Sequence, residues 1–483
     1  MKRAIFTAGF AALLTACAEN PATGKNELSL MSPAQERQIG AREHPKILQA
    51  FGGVYDEGNG GLYVASVGGR LVANSELKGQ PFRFTLLDSP VVNAFALPGG
   101  YVYITRGLMA LANDEAELAS VLGHEIGHVT ARHGAQRQTR STLVGILALG
   151  LGVALQNDIV NQVSQVAGAY YISSYSRGQE YEADGLGVRY LGRTGYDPYG
   201  APRFLGHMDA NTNLQAQLAG KEGRSNANDF FSTHPPAPDR VQRARAQASK
   251  HARANAQPAN RDAYLDVIDG MIYGDSPDQG FVRNRKFLHP KLKFGFEVPQ
   301  GFVMSNSSAA VVASGPNNAA IQFDAARIDP NMSTAAFIQQ EWVQSIEVRD
   351  MERITVNGVE AATGWVEVSQ GGESLTVRLV AYRVGRDSVH RFLMMAPSRA
   401  FASMAESFRR ATYSYRKLGD TEAANLKPYR LRVVTVRRGD TVRSLAARMP
   451  FQSHNEDRFL VLNGLRRGAA VQAGQRVKIV TEH

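Results

Sequence analysis

Two short stretches carry residue types that could do chemistry together. The first is His124-Glu125-Ile126-Gly127-His128. Histidines four apart on a helix project from one face, because a turn takes 3.6 residues. Both imidazoles can then reach one metal ion, at about 2.0–2.1 Å for zinc. Glu125, beside the first histidine, can take the proton of an attacking water, which is how zinc peptidases work. The alternative is a helix with two solvated or core histidines. The second stretch runs from Ser176 to Asp184. Glu180 and Asp184 are four apart and share a helix face. Glu180 is the best candidate for a third ligand. Asp184 is placed to accept a hydrogen bond from the far nitrogen of a ligand histidine and fix its tautomer. Glu182, offset by two, points elsewhere. Taken alone, this segment reads better as a solvated acidic helix face with ordinary salt bridges.

The first motif needs a helix to position it, and the flanks supply one. Asp114 can cap the N-terminus, with Glu117 completing a capping box. Leu118, Val121, Leu122 and Val129 recur at helical spacing, and Gly134 offers a stop. Gly127 costs about 1 kcal/mol against alanine in a helix, which points to a close backbone approach at that position.

With these pieces the chain resembles one gluzincin family, that of the heat-shock membrane protease HtpX and the CAAX prenyl proteases. The resemblance rests on Asn93-Ala94-Phe95-Ala96-Leu97-Pro98-Gly99-Gly100, Tyr101 to Leu108, Glu117-Leu118-Ala119, the histidine motif, Ala131-Arg132-His133, and the Glu-x-x-x-Asp pattern at Glu180 and Asp184. It covers roughly residues 20–245. It implies one catalytic Zn²⁺ held by His124, His128 and Glu180, Glu125 as general base, and Asp184 behind a ligand histidine. It also implies that Asn93, Ala94 and Phe95 border the cleft, where an extended substrate could add as a strand. In soluble periplasmic relatives, a histidine in a context like Ser232-Thr233-His234-Pro235-Pro236 can approach the metal and plug its open position. His234 is therefore a regulatory ligand, a substrate-site residue, or a loop histidine between turn-forming prolines. His133 either supports a ligand from behind or ends a helix. Arg177 and His234 are candidates for steadying the oxyanion.

The chain start carries a second signal. Met1-Lys2-Arg3 is basic, and Ala4 to Ala16 is apolar and rich in small residues. Thirteen residues are too few to span a hydrocarbon core of about 30 Å, so 1–16 reads as a signal peptide. Leu14-Thr15-Ala16-Cys17 resembles a bacterial lipobox, which implies acylation of Cys17. Cys17 is the single cysteine, so no intramolecular disulfide can form. Ala18 after it implies, by resemblance to Gram-negative sorting, the periplasmic face of the outer membrane. A plain secretory signal is the alternative. The apolar run Leu143 to Leu155 is too short to span and reads as a buried or cleft-covering helix.

Removing Lys2 and Arg3 with the leader leaves 52 basic against 44 acidic side chains, a net +8. That balance suits anionic lipid or cell-wall polymer. No nucleic-acid module is found.

The expected architecture is multidomain. A mainly α-helical zincin peptidase domain with a small edge sheet spans 31–250, after a lipidated tether at 17–30. A linker or packing segment covers 251–284, and an α+β domain of unassigned role covers 285–418. Asn357-Gly358 marks a hairpin in it. Residues 429–483 read as strand, helix, helix, strand with Gly439-Asp440-Thr441 and Leu462-Asn463-Gly464. That resembles a LysM module and implies binding to peptidoglycan, against the alternative of a docking domain without carbohydrate affinity. The leading function is a lipid-anchored zinc endopeptidase that hydrolyses misfolded or misassembled envelope proteins. The alternative is an autoinhibited or non-proteolytic envelope chaperone or peptidoglycan-binding scaffold.

Overall fold

The computed structural model describes residues 17–24, 26–28, 31–139, 174–218, 230, 234, 239–252, 260–344, 346–370 and 372–482. The segment 1–16, expected to be a signal peptide, and the apolar run at 143–155 lie outside the described residues. The chain divides into two compact units, 1–274 with 429–483, and 275–428. The division falls inside the segment expected to be a linker, and the C-terminal module belongs to the first unit.

The first unit opens with a short hairpin, β1 (Cys17–Glu19) against β2 (Asn26–Leu28). Helices α1 (Pro33–Ala50) and α2 (Gly60–Ala73) follow. Strands β3 (Arg83–Leu87), β4 (Ala94–Leu97) and β5 (Tyr101–Thr105) form a small sheet in the order β3-β5-β4, with β4 at an edge. A short helix α3 (Arg106–Leu111) leads into α4 (Glu115–Thr130), which carries the histidine motif. Asp114 caps α4 by accepting from the Glu117 amide at 2.8 Å. The second half of the expected capping box does not form. The Glu117 carboxylate accepts from the Asn113 amide instead, at 2.9 Å. Every residue of α4 except Val129 is buried.

The expected stop at Gly134 is also corrected. The helix ends at Thr130, Arg132 takes a positive φ of 55°, and helix resumes over 133–139. The Arg132 guanidinium pins this kink through Glu36 at 2.8 Å and the Met31 carbonyl at 2.6 Å.

Helix α5 (Arg177–Thr194) starts at a Ser176–Gln179 capping box and ends at Gly195 in the left-handed region. It packs against α4 at glycines. A Cβ on Gly187 would lie 2.9 Å from the His124 amide nitrogen, and one on Gly127 would lie 3.1 Å from the Ala183 carbonyl. The glycines thus set the backbone separation of the two motif-bearing helices. Helices α6 (Gly200–Leu218), α7 (Arg240–His251) and α8 (Arg261–Ile268) and strand β6 (Ile272–Tyr273) complete this part. Tyr264 of α8 is buried and donates to the Met109 carbonyl at 2.6 Å.

The second unit is α+β. Its antiparallel sheet of seven strands runs from Val303 to Pro397, and a four-stranded sheet lies in the same unit. Asn357 and Gly358, at φ 47° and 81°, close the hairpin between the strands ending at Val356 and starting at Val359. Helix α9 (Ser398–Ser414) packs on the larger sheet through Phe408 and Met404.

The chain re-enters the first unit at strand β7 (Tyr429–Thr435), followed by α10 (Val442–Ala446), α11 (Asn455–Leu462) and strand β8 (Arg476–Thr481). This is the expected βααβ order. Strand β7 pairs with β8 and also with β6, so the module shares a sheet with the part before it. Its Leu431, Phe459 and Ile479 join one core with Leu108, Leu118 and Tyr264. Lys478 drives its ammonium into that seam, donating to the carbonyls of Ala110 and Ala112 at 2.7 Å each and of Leu111 at 3.3 Å. These are end-of-helix carbonyls that lack intrahelical partners.

Candidate metal centre

The face shared by His124 and His128 looks onto Glu180 of α5 and onto His234. Nε2 of His124 and Nε2 of His128 are 3.0 Å apart. Nδ1 of His234 lies 3.2 Å from the former, and Oε1 of Glu180 lies 3.4 Å from the latter and 3.0 Å from His234 Nδ1. All four residues are buried. Edges of a tetrahedron around zinc with bonds of 2.0–2.1 Å measure about 3.3 Å, so this donor set fits one such ion.

The surrounding hydrogen bonds turn the imidazoles the right way. Nδ1 of His124 is 2.9 Å from Asp184, which holds the proton there and leaves Nε2 as a lone pair. Nδ1 of His128 is 2.8 Å from Nδ1 of His133, whose Nε2 reaches Glu182 at 3.3 Å. A proton donated by His133 to Glu182 makes its Nδ1 an acceptor, so His128 donates there and its Nε2 is also free. Glu182, expected to point elsewhere, therefore belongs to the network. Its other oxygen accepts from Asn20 at 3.4 Å.

Arg240 ties the carboxylates together. It grips both oxygens of Asp184 at 2.8 Å and approaches Glu180 at 3.0 Å and the His234 carbonyl at 3.4 Å. Burial alone would raise Asp184, but Arg240 and His124 outweigh it and hold its carboxyl below the usual range. Burial would likewise raise Glu180, yet His234, His128 and His124 keep it well below. Glu125 is the opposite case. It is wholly buried, neither oxygen has a hydrogen-bond partner among the described residues, and burial pushes its pKa up. A carboxylate raised in this way is suited to exchanging protons. His234 Nε2 lies 3.5 Å from it.

The His234 amide donates to the Phe230 carbonyl at 2.8 Å, and the Phe230 amide donates to the Val92 carbonyl at 3.0 Å. The His234 ring stacks on Phe230 at 4.2 Å. Tyr175, buried, stacks on His128 at 3.9 Å, and burial pushes its hydroxyl up to about 12. Arg177 is exposed. Asn93 is buried and its amide donates to Thr105 Oγ1 at 3.1 Å. Ala94 and Phe95 are buried on β4, which pairs only with β5 among the described strands. Cys17 lies in β1, paired across from Leu28.

Arg240, Tyr175 and Phe230 escape sequence reasoning. The one available signal is that Arg240 opens a helix directly after Asp239.

Residues 61–248 match the profile of Peptidase family M48. The chain carries an M48 peptidase domain. Residues 434–480 match the LysM domain, and the two matched segments agree with the two resemblances read from the motifs. Family M48 is zinc-dependent, in keeping with the donor set. The chain is similar to the beta-barrel assembly-enhancing protease of Yersinia pestis, 36% identical over 207 residues, covering 40% of this chain and 41% of that protein. It is 31% identical over 254 residues to the protein of that name from Escherichia coli strain K12, covering 51% and 50%. The mitochondrial metalloendopeptidase OMA1 of Arabidopsis thaliana is 36% identical over 163 residues, covering 34% and 31%. The chain spans about half or less of the length of these relatives. No described helix is long and apolar enough to cross a membrane.

Proposed function

We propose that this chain is a zinc-dependent endopeptidase acting on misfolded or misassembled proteins of the cell envelope. The observation that carries the reading is the convergence of His124, His128 and Glu180 beside a buried Glu125 with no hydrogen-bond partner among the described residues. His124, His128 and Glu180 hold the metal, and zinc supplies Lewis acidity toward the scissile carbonyl. Glu125 accepts a proton from the attacking water and returns it to the leaving amine. Asp184 and His133 keep two ligands in their binding tautomers, and Arg240 balances the carboxylates. The edge of β4, near Asn93 to Phe95, receives the substrate backbone as an added strand.

His234 would supply a further ligand to the metal at rest, so the enzyme is autoinhibited until His234 withdraws. The contact of its Nδ1 with Glu180 supports that state. Lipid on Cys17 tethers the chain to the periplasmic face of the outer membrane, and residues 429–483 hold it near peptidoglycan. The names of the bacterial relatives support an envelope role.

The test is a casein-type assay on the full chain. Cleavage should vanish with chelator and return with zinc. Cleavage indifferent to chelator rejects the metal mechanism.

A further inference from the structure

The seam between the peptidase part and the LysM module contains a cavity of about 790 Å³. That is within the range of about 300–1,000 Å³ typical of small-ligand sites. One wall is α6 and the start of α7, and the other is α11 and the loop after it. The walls are fixed relative to each other. Gly464, at φ 61°, sits so close to His207 of α6 that a Cβ would lie 2.5 Å from the ring. His207 in turn meets Glu117 of the motif helix at 3.2 Å. The cavity is thus preformed rather than a gap between loosely tethered parts.

Its lining has a consistent chemistry. Leu214, Val461 and Leu465 give it an apolar floor, and Asn213 and Gln217 offer amides. Four arginines line it against one aspartate. Two are already neutralised, Arg203 by Asp197 and Asp114, and Arg467 by Asp457. Arg245 on the peptidase wall and Arg466 on the LysM wall are exposed and have no carboxylate partner among the described residues. A guanidinium is matched to carboxylates by two parallel hydrogen bonds. Neutral sugars give it no such partner, and the rings in the lining are those of Tyr199 and His207.

We propose that this cavity binds a short carboxylate-bearing peptide, with Arg245 and Arg466 holding its anionic groups. The site is separate from the metal centre and does not depend on the peptidase reading. Its ligand chemistry is shared by acidic stem peptides of the cell wall and by acidic segments of proteins.

The test uses the full chain, with binding read by fluorescence anisotropy. The probes are a labelled hexapeptide alternating leucine and glutamate, its leucine–glutamine counterpart, a disaccharide-linked stem peptide and chitotetraose. The acidic hexapeptide should bind at least tenfold more tightly than its glutamine counterpart, and the preference should weaken with salt. Arg245→Gln and Arg466→Gln should each weaken it about tenfold, one lost charge-assisted contact, with unchanged melting because both side chains are exposed. Tight binding of the stem peptide in addition identifies the cell wall as a source. Failure of the stem peptide while the acidic hexapeptide binds identifies proteins. Either supports the site. Equal binding of the two hexapeptides, loss-free arginine variants, or chitotetraose binding that depends on the same arginines overturns the proposal.

Discussion

The Nδ1 atom of His234 lies 3.0 Å from Oε1 of Glu180. Glu180 is on a motif-bearing helix, and the backbone of His234 is tied through Phe230 to the strand-leading segment at Val92. Replacing His234 by alanine should therefore leave zinc at about one per chain and raise turnover roughly tenfold, equivalent to about 1.4 kcal/mol of barrier. Metal content and casein cleavage measured on one preparation check this. Reduced turnover with zinc retained would instead assign His234 to substrate handling.

Glu125→Gln keeps the shape of the side chain and removes its basicity. Zinc content should be unchanged, while turnover falls about 10²–10⁴-fold, the usual worth of a positioned acid–base group. Unaltered turnover would remove Glu125 from the mechanism.

Arg240 is buried and faces Asp184 and Glu180 together. Arg240→Met leaves two carboxylates without their cation. The expected cost is about 3–5 kcal/mol of stability and a zinc affinity weaker by about 10–100-fold. Arg240→Lys should recover part of the first loss and less of the second, since an ammonium cannot form the two-pronged grip. Competition with a chromogenic chelator measures the affinity, and thermal melting the stability.

The second unit should soften in mild acid. Burial drives His390 down to about 4, whereas an unfolded histidine titrates near 6.5. Between these values the unfolded chain binds the extra proton, so stability rises with pH and is lost as pH falls from about 6.5 to about 4. The full effect is roughly 3 kcal/mol, because each tenfold loss of proton affinity in the folded chain corresponds to about 1.36 kcal/mol. The chain's two tryptophans, Trp342 and Trp365, both lie in this unit, so urea unfolding followed by their fluorescence reports on it alone. His390→Gln should flatten the dependence.

Lys478 is wholly buried, and burial lowers its pKa to about 7. Its three N–H bonds nevertheless match three carbonyls at the end of α3. Lys478→Met strands those acceptors and should cost about 3 kcal/mol. The loss should appear as a lower melting temperature of the full chain, together with faster proteolysis after residue 428.

What the sequence revealed was whatever repeats at short range. The histidine spacing, the Glu180–Asp184 spacing, the Asn357-Gly358 hairpin and the βααβ order are each set within a few residues. What it hid depends on residues distant along the chain. Glu182 joins the network only because His133 stands between it and His128. Arg240 matters only because α7 returns beside α5. Glu117 abandons the capping box for the Asn113 amide, and Arg132, tied to Glu36 and Met31, breaks the helix before Gly134 can. Nor does any local pattern announce that β7 would extend a sheet through β6.

Gly187 and Gly127 let two backbones touch where the donor atoms converge. The cage is therefore soldered at its hinge line, and heat cannot release the ion gradually. Loosening one ligand requires the helices to part, and parting them dismantles the whole coordination shell. Escape of the cation and collapse of the surrounding architecture should coincide as a single cooperative event on warming.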